Sequence, residues 1–196
     1  MLKRIFVLAI SVFFIFQTSF SQEFMHSAGA TISALYGKLK SPGETSSFAL
    51  EQTNLTYFPR YNFIENSNSS VSIGLPVGAG IGIASNTYGG DAGISFAYDL
   101  AAALDYNMGY KSVSETESYF GGYFGVGFGY YHVSISGSEY SDFTGASYGP
   151  MIRGGVRIGS SNESWNGHGF SIGLFYKKGM EKDKLNTIGC SVLYEF

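Results

Sequence analysis

The sequence predicts an all-β chain: an eight-stranded antiparallel up-and-down transmembrane β-barrel, preceded by a cleavable signal peptide. Three observations lead there. Apolar residues alternate with polar or small ones in about eight stretches separated by polar clusters, the period-two signature of strands. The bulky residues fall on one face of nearly every stretch, and Gly, Ser, Ala, Asn and a few charges fall on the other. The chain also opens with an export signal and has no later apolar run long enough for a spanning helix.

Lys3 and Arg4 form a short positive region, and Ile5 to Phe16 is almost wholly apolar. Ser19 and Ser21 are the small residues of a cleavage site after Ser21, so residues 1–21 read as a signal peptide and 22–196 as one barrel domain. The competing reading is a membrane anchor, but the apolar run is shorter than the roughly 20 residues a spanning helix needs. No Cys near the site invites lipidation, and the single Cys190 excludes an intrachain disulfide framework. Charged residues are only 14%, against roughly 25% in an ordinary soluble domain, and the formal net charge is −3, so nothing points to nucleic acid. Nothing calls for a cofactor. The composition leaves a secreted all-β protein or a membrane-spanning barrel.

The segments follow in order. Met25–Tyr36 puts Ala28, Ala30, Ile32, Ala34 and Tyr36 on one face. Ala49–Phe63 sets Leu55, Tyr57, Pro59, Tyr61 and Phe63 against Gln52, Asn54, Thr56 and Arg60. Val71–Ile83 is the most regular, with Ile73, Leu75, Val77, Ile81 and Ile83 opposite Ser and Gly positions and Pro76. Ile94–Tyr106 sets Phe96, Tyr98, Leu100 and Leu104 against Ser95, Asp99 and Asp105. Tyr119–Val133 sets Phe120, Phe124, Val126, Phe128 and Tyr130 against Tyr123 and a row of Gly. Ala146–Gly159 sets Tyr148, Ile152, Val156 and Ile158 against Met151, Arg153 and Arg157. His168–Lys178 sets Phe170, Ile172, Leu174 and Tyr176 against Ser171, Phe175 and Lys177. Thr187–Phe196 closes the series on an aromatic residue.

Which face is bulky decides the class. A soluble barrel packs apolar side chains inside, whereas a membrane barrel does the reverse. Eight strands leave room inside only for side chains, too little for large rings of Phe and Ile, so the bulky face points out into lipid. Tyr36, Tyr57, Tyr61, Tyr106, Tyr130, Tyr148, Tyr176, Tyr194 and Phe196 near the segment ends fit interfacial aromatic girdles. With the export signal, the eight alternating segments and the terminal Phe, the chain resembles the OmpA/OmpX-type eight-stranded outer-membrane β-barrels of Gram-negative bacteria. The resemblance covers residues 22–196 by pattern more than by identity. It implies an outer-membrane location, outer-membrane lipid as surroundings and recognition by the barrel-assembly machinery. In that family the last strand and its aromatic end carry the assembly signal, which Ile188, Val192, Tyr194 and Phe196 match. No periplasmic tethering domain follows the barrel, so peptidoglycan attachment is not implied.

With the N-terminus on the periplasmic side, the inward charges can be ordered by height. Asp99 and Arg153 fall near mid-height, and Arg60, Asp105, Arg157 and Glu195 fall nearer the periplasmic end. Unpaired buried charges are costly, so these six are expected to form an ionic plug centred on an Asp99–Arg153 pair; a loosely paired water thread is the alternative. The runs GAGIGIAS and GVGFGY lack phosphate-loop spacing and read as thin lumen wall. His132, near Ser134, Ser136 and Asp142, is the one candidate for rim catalysis; His26 and His168 lack metal-ligand spacing and read as surface residues, and Cys190 as a lipid-facing filler. The expected function is a non-enzymatic envelope barrel with a structural, adhesive or accessory-subunit role, its envelope partner unnamed. A rim-site enzyme acting on lipid or peptide, or a narrow ion or solute channel, are the alternatives.

Overall fold

The computed structural model describes residues 24–41, 44–86, 93–113, 116, 118–136, 143–159, 168–180 and 185–196. The predicted signal peptide and its cleavage site lie outside these. Among the described residues nine strands form one antiparallel sheet: β1 (Phe24–Ser41), β2 (Glu44–Asn66), β3 (Ser69–Gly74), β4 (Val77–Asn86), β5 (Gly93–Gly109), β6 (Phe120–Ser136), β7 (Phe143–Gly159), β8 (Gly169–Lys177) and β9 (Asn186–Glu195). Each pairs with its neighbours, and β1 pairs with both β2 and β9, so the sheet closes on itself.

β3 and β4 are one stave of the barrel. The sequence predicts a continuous strand there, and the structure interrupts it at Leu75–Pro76. Pro76 has no N–H to donate. The ladder nonetheless carries across the break: the Leu75 amide donates to the Pro59 carbonyl (3.0 Å) and the Ala101 amide to the Pro76 carbonyl (3.0 Å). Counted by staves, the barrel has eight.

The register gives its geometry. One walk around the ladder from Gly189 runs through Ser33, Gln52, Gly82, Ser95 and Ile135 to Phe143. The other way, Gly189 leads through Phe175 to Arg153 on the same strand, ten residues from Phe143. That shear in an eight-stave barrel corresponds to strands tilted by roughly 40°. Residues facing each other in the ladder therefore do not lie at equal height, which decides below which charges meet.

The bulky face points outward. Leu55 is 79% exposed and Ile94 73%, while Arg60 is 2% exposed and Asp105 is fully buried. On β6 the outward series from Tyr130 to Phe120 rises about 25 Å at this tilt, the height of an outer-membrane apolar band. Aromatic contacts edge this belt. At one end Tyr98 packs with Tyr130 (6.1 Å between ring centres) and Phe128 with Tyr148 (6.1 Å). At the opposite, terminal end, where β1 begins and β9 stops, Tyr194 packs with Phe170 (5.4 Å) and Phe196 (6.1 Å).

Glycine on the inner face does more than thin the wall. It makes room for the few large rings that point in. A Cβ on Gly155 would come within 2.8 Å of the Tyr123 hydroxyl, besides striking the Ile172 carbonyl, and a Cβ on Gly189 would reach 2.5 Å from the Phe175 ring. Gly155→Val is therefore expected to block closure. The check is the fraction that folds into lipid, read as heat-sensitive gel migration, which should fall steeply, whereas Gly154→Val on the outer face, whose nearest neighbour would be 3.2 Å away, should fold nearly as well as the parent chain.

Candidate functional site

The inward side chains form three ionic tiers. Nearest the terminal end, Glu195 from β9 lies between Arg60 from β2 (3.7 Å) and Arg157 from β7 (3.3 Å). The middle tier joins Asp105 from β5 with Arg153 from β7 (3.6 Å). Furthest from the termini, the Lys177 ammonium from β8 bridges both carboxylate oxygens of Asp99 from β5 (2.6 and 2.5 Å).

This corrects the expected Asp99–Arg153 centre. Following the ladder from Asp99 through Tyr131 reaches Ser147 on β7, and the strand tilt then leaves Arg153 about 8 Å nearer the terminal end than Asp99. The same tilt brings Lys177, one strand further on, level with Asp99. Lys177 was visible on the inward face in the sequence, but its partner depends on tilt. Arg153 and Asp105 share a ladder row through Gly125, which leaves the space between them open.

Four cations (Arg60, Arg153, Arg157, Lys177) face three anions (Asp99, Asp105, Glu195) in these tiers. Aromatic faces supply further negative potential. The Arg153 guanidinium lies 4.2 Å from the centre of the Phe58 ring and 4.9 Å from that of Tyr123, and the Arg157 guanidinium lies 4.6 Å from the centre of Tyr123. Lys177 lies 5.2 Å from the Phe175 ring and 5.7 Å from Tyr131. Tyr123 thus spaces the two lower tiers while touching a cation of each.

A floor closes the terminal end, formed by the β5–β6 connector folding beneath the barrel. Gly109 (φ 69°) and Lys111 (φ 55°) take left-handed backbone, which turns the chain inward. Arg60 donates to the Lys111 carbonyl (2.5 Å) and to Asn107 Oδ1 (3.0 Å). The Ser112 carbonyl accepts from Asn62 Nδ2 (2.7 Å) and Ser70 Oγ (2.5 Å). The Tyr110 ring fills the remaining space over Gly159 and Gly169; a Cβ on Gly169 would come within 2.7 Å of it. Burial, with a smaller contribution from the Glu195 charge, pushes the Tyr110 hydroxyl up to about 12, and burial draws the Lys111 ammonium below its ordinary value. No periodicity marks this connector in the sequence as a floor.

Between the two upper tiers lies a cavity of about 50 Å³ walled by Thr31, Thr56, Phe58, Asp99, Arg153 and Lys177. Beyond the Asp99–Lys177 tier, away from the termini, the inside turns apolar: Leu35, Leu50, Val133, Ile135 and Leu185 pack with Tyr131. The lumen is therefore ionic through the belt and largely apolar beyond it, where the buried Gln52 is a polar exception whose Oε1 accepts from Tyr131 (3.1 Å) and Ser95 (3.2 Å).

The histidines join the outer aromatic contacts. His26 hydrogen-bonds the Tyr57 hydroxyl (2.6 Å) and stacks on Phe196 (5.9 Å), while His168 stacks on Tyr194 (5.6 Å). His132 stacks on Tyr98 (4.7 Å) on the outer face; Asp142, its suggested companion, lies outside the described residues. Ile188, Val192 and Phe196 face outward along β9, and Cys190 lies between the first two, half-buried.

No protein-family model matches this chain, and no curated protein matches it in sequence. Solved structures match it across nearly its whole length. The outer membrane protein OprG from Pseudomonas aeruginosa is 14% identical, with 89% of this chain and 92% of that chain covered at a TM-score of 0.51. The fold is that of an outer-membrane β-barrel. Neisserial surface protein A is 13% identical over 88% of this chain and 95% of its own, at a TM-score of 0.48. Ail, the attachment invasion locus protein of Yersinia pestis, is 17% identical over 89% and 99%, at 0.47. At these identities the likeness concerns the backbone, and the tiers stand on this chain's own residues.

Glu195→Gln leaves two buried guanidinium groups without their shared anion and is expected to lower unfolding stability in lipid by about 3–5 kcal/mol; urea titration followed by gel shift measures it. The Tyr110 hydroxyl has no hydrogen-bond partner among the described residues, so Tyr110→Phe should cost less than about 1 kcal/mol at pH 8. Tyr110 titrates higher when folded than its ordinary value of 10.0, so it favours the folded state below pH 10 and loses that contribution as pH rises to about 12. The stability loss between pH 10 and 12 should accordingly be smaller in Tyr110→Phe than in the parent chain, by the same urea titration.

Proposed function

We propose that this chain is a non-enzymatic integral barrel of the Gram-negative outer membrane, with its termini on the periplasmic side, acting through the surfaces it presents rather than through its lumen. One observation carries the reading: a closed barrel wears its bulky apolar residues outside while its interior is filled by ion pairs, inward rings and a connector floor. Such an outer surface suits lipid, and a closed ladder leaves no strand edge unpaired within it. Ile188, Val192, Tyr194 and Phe196 would serve as the segment read by the barrel-assembly machinery. A filled interior suits a structural, adhesive or accessory-subunit role.

The channel alternative would need a continuous aqueous path, and three tiers plus the floor stand in its way. The rim-enzyme alternative rests on His132, whose ring is engaged in stacking on Tyr98.

In detergent or lipid the purified chain is expected to show strand-rich circular dichroism and to migrate faster on gels before boiling than after. A chain that folds to a soluble monomer without detergent would overturn the reading. In planar bilayers the folded protein should give no discrete conductance steps.

A further inference from the structure

The apolar residues change faces partway along two strands. On β6 they point outward through Phe124, Val126 and Phe128, then inward at Tyr131, Val133 and Ile135, while His132, Ser134 and Ser136 take the outer side. On β2, Leu55 and Tyr57 point outward, but further from the termini Leu50 points inward and Glu51 and Thr53 outward. No bulge intervenes on β6, whose pairing with β5 and β7 is unbroken, so the polarity changes while the backbone does not. A strand that is apolar outside suits lipid, and one that is apolar inside suits water. The changeover lies level with the Asp99–Lys177 tier and the Tyr98–Tyr130 contact. On β1, β4 and β5, Tyr36, Ile83 and Ile94 stay outward, Ile83 directly opposite Glu51, so the changeover is confined to β2 and β6.

Beyond this boundary the wall is completed differently. β8 and β9 stop at Lys177 and Asn186, while β1 and β7 run on. The β8–β9 connector continues the wall along β7: the Lys178 amide donates to the Pro150 carbonyl (2.9 Å) and the Met180 amide to the Tyr148 carbonyl (2.9 Å). Ser147 Oγ then donates to the Leu185 carbonyl (2.9 Å), and the Leu185 side chain is buried among Leu35, Leu50, Val133 and Ile135.

We propose that this outer section is a collar around a second core, water-facing where β2, β6 and β7 turn polar outward and closed by Leu185, that seals the lumen independently of the ionic tiers. The inference rests on the membrane reading above. An apolar constriction excludes water by dewetting and needs no charge to do so. The collar thus keeps solvent from the Asp99–Lys177 pair and the cavity beneath it.

Cysteine labelling in lipid nanodiscs by a small aqueous maleimide tests this, in a Cys190→Ser background. Thr144→Cys, exposed on the collar's outer face, should label freely, and Ala102→Cys, outward in mid-belt, should be protected. Thr31→Cys, in the wall of the cavity, should be protected until the collar is opened. Adding Leu185→Asp or Val133→Asn, whichever retains the fast-migrating folded form, should raise its labelling rate roughly 10-fold or more. The proposal is overturned if Thr31→Cys labels as fast as Thr144→Cys with the collar intact, if neither opening variant changes its rate, or if Thr144→Cys is itself protected by lipid. Ala102→Cys labelling as fast as Thr144→Cys would instead overturn the membrane reading.

Discussion

The hydrogen bonds between β1 and β9 join the first strand to the last along ten residue pairs, from Ser27–Glu195 to Tyr36–Asn186. Without them the sheet would have two long edges, and in an apolar medium each unpaired backbone group costs several kcal/mol. Closure also sets the shear, the shear sets the tilt, and the tilt sets which inward residues share a height. The ionic tiers, the floor and the collar all follow from that ring of backbone bonds.

Inside so narrow a ring, volume is the second constraint. Phe58, Tyr110, Tyr123, Tyr131 and Phe175 are large, and they fit because glycines on neighbouring strands give way to several of them. The rings in turn lie against guanidinium and ammonium groups that outnumber the carboxylates of the tiers. Glycine, aromatic ring and cation thus act together: the glycine provides depth, the ring fills it, and the π face adds electrostatic attraction for the extra positive charge.

Much of the architecture was legible from period and face alone. The eight staves, the outward direction of the bulky residues and the inward placement of Arg60, Asp99, Asp105, Arg153, Arg157 and Glu195 follow from alternation, because side chains change sides at every residue. Pro76 was visible as a residue without a donor, though not the way Leu75 and Ala101 carry the ladder past it. The connector after Gly109 was harder. Its role as a floor depends on two left-handed residues and on acceptors meeting Arg60, Asn62 and Ser70, all distant in sequence. The collar was written in the changing parity of β2 and β6 but became readable only once Leu185 arrived from another part of the chain.

What the sequence by itself determined is each residue's side of the wall, since that depends only on counting along one strand. It also determined the terminal alternation of TIGCSVLYEF that completes the ring. Tertiary structure alone decided which charges meet. Height in a tilted barrel is a joint property of all eight staves, and it sent Asp99 to Lys177 and Glu195 to the pair Arg60 and Arg157, while the open ladder row across Gly125 sent Arg153 to Asp105. One strand, read alone, carries no measure of that tilt.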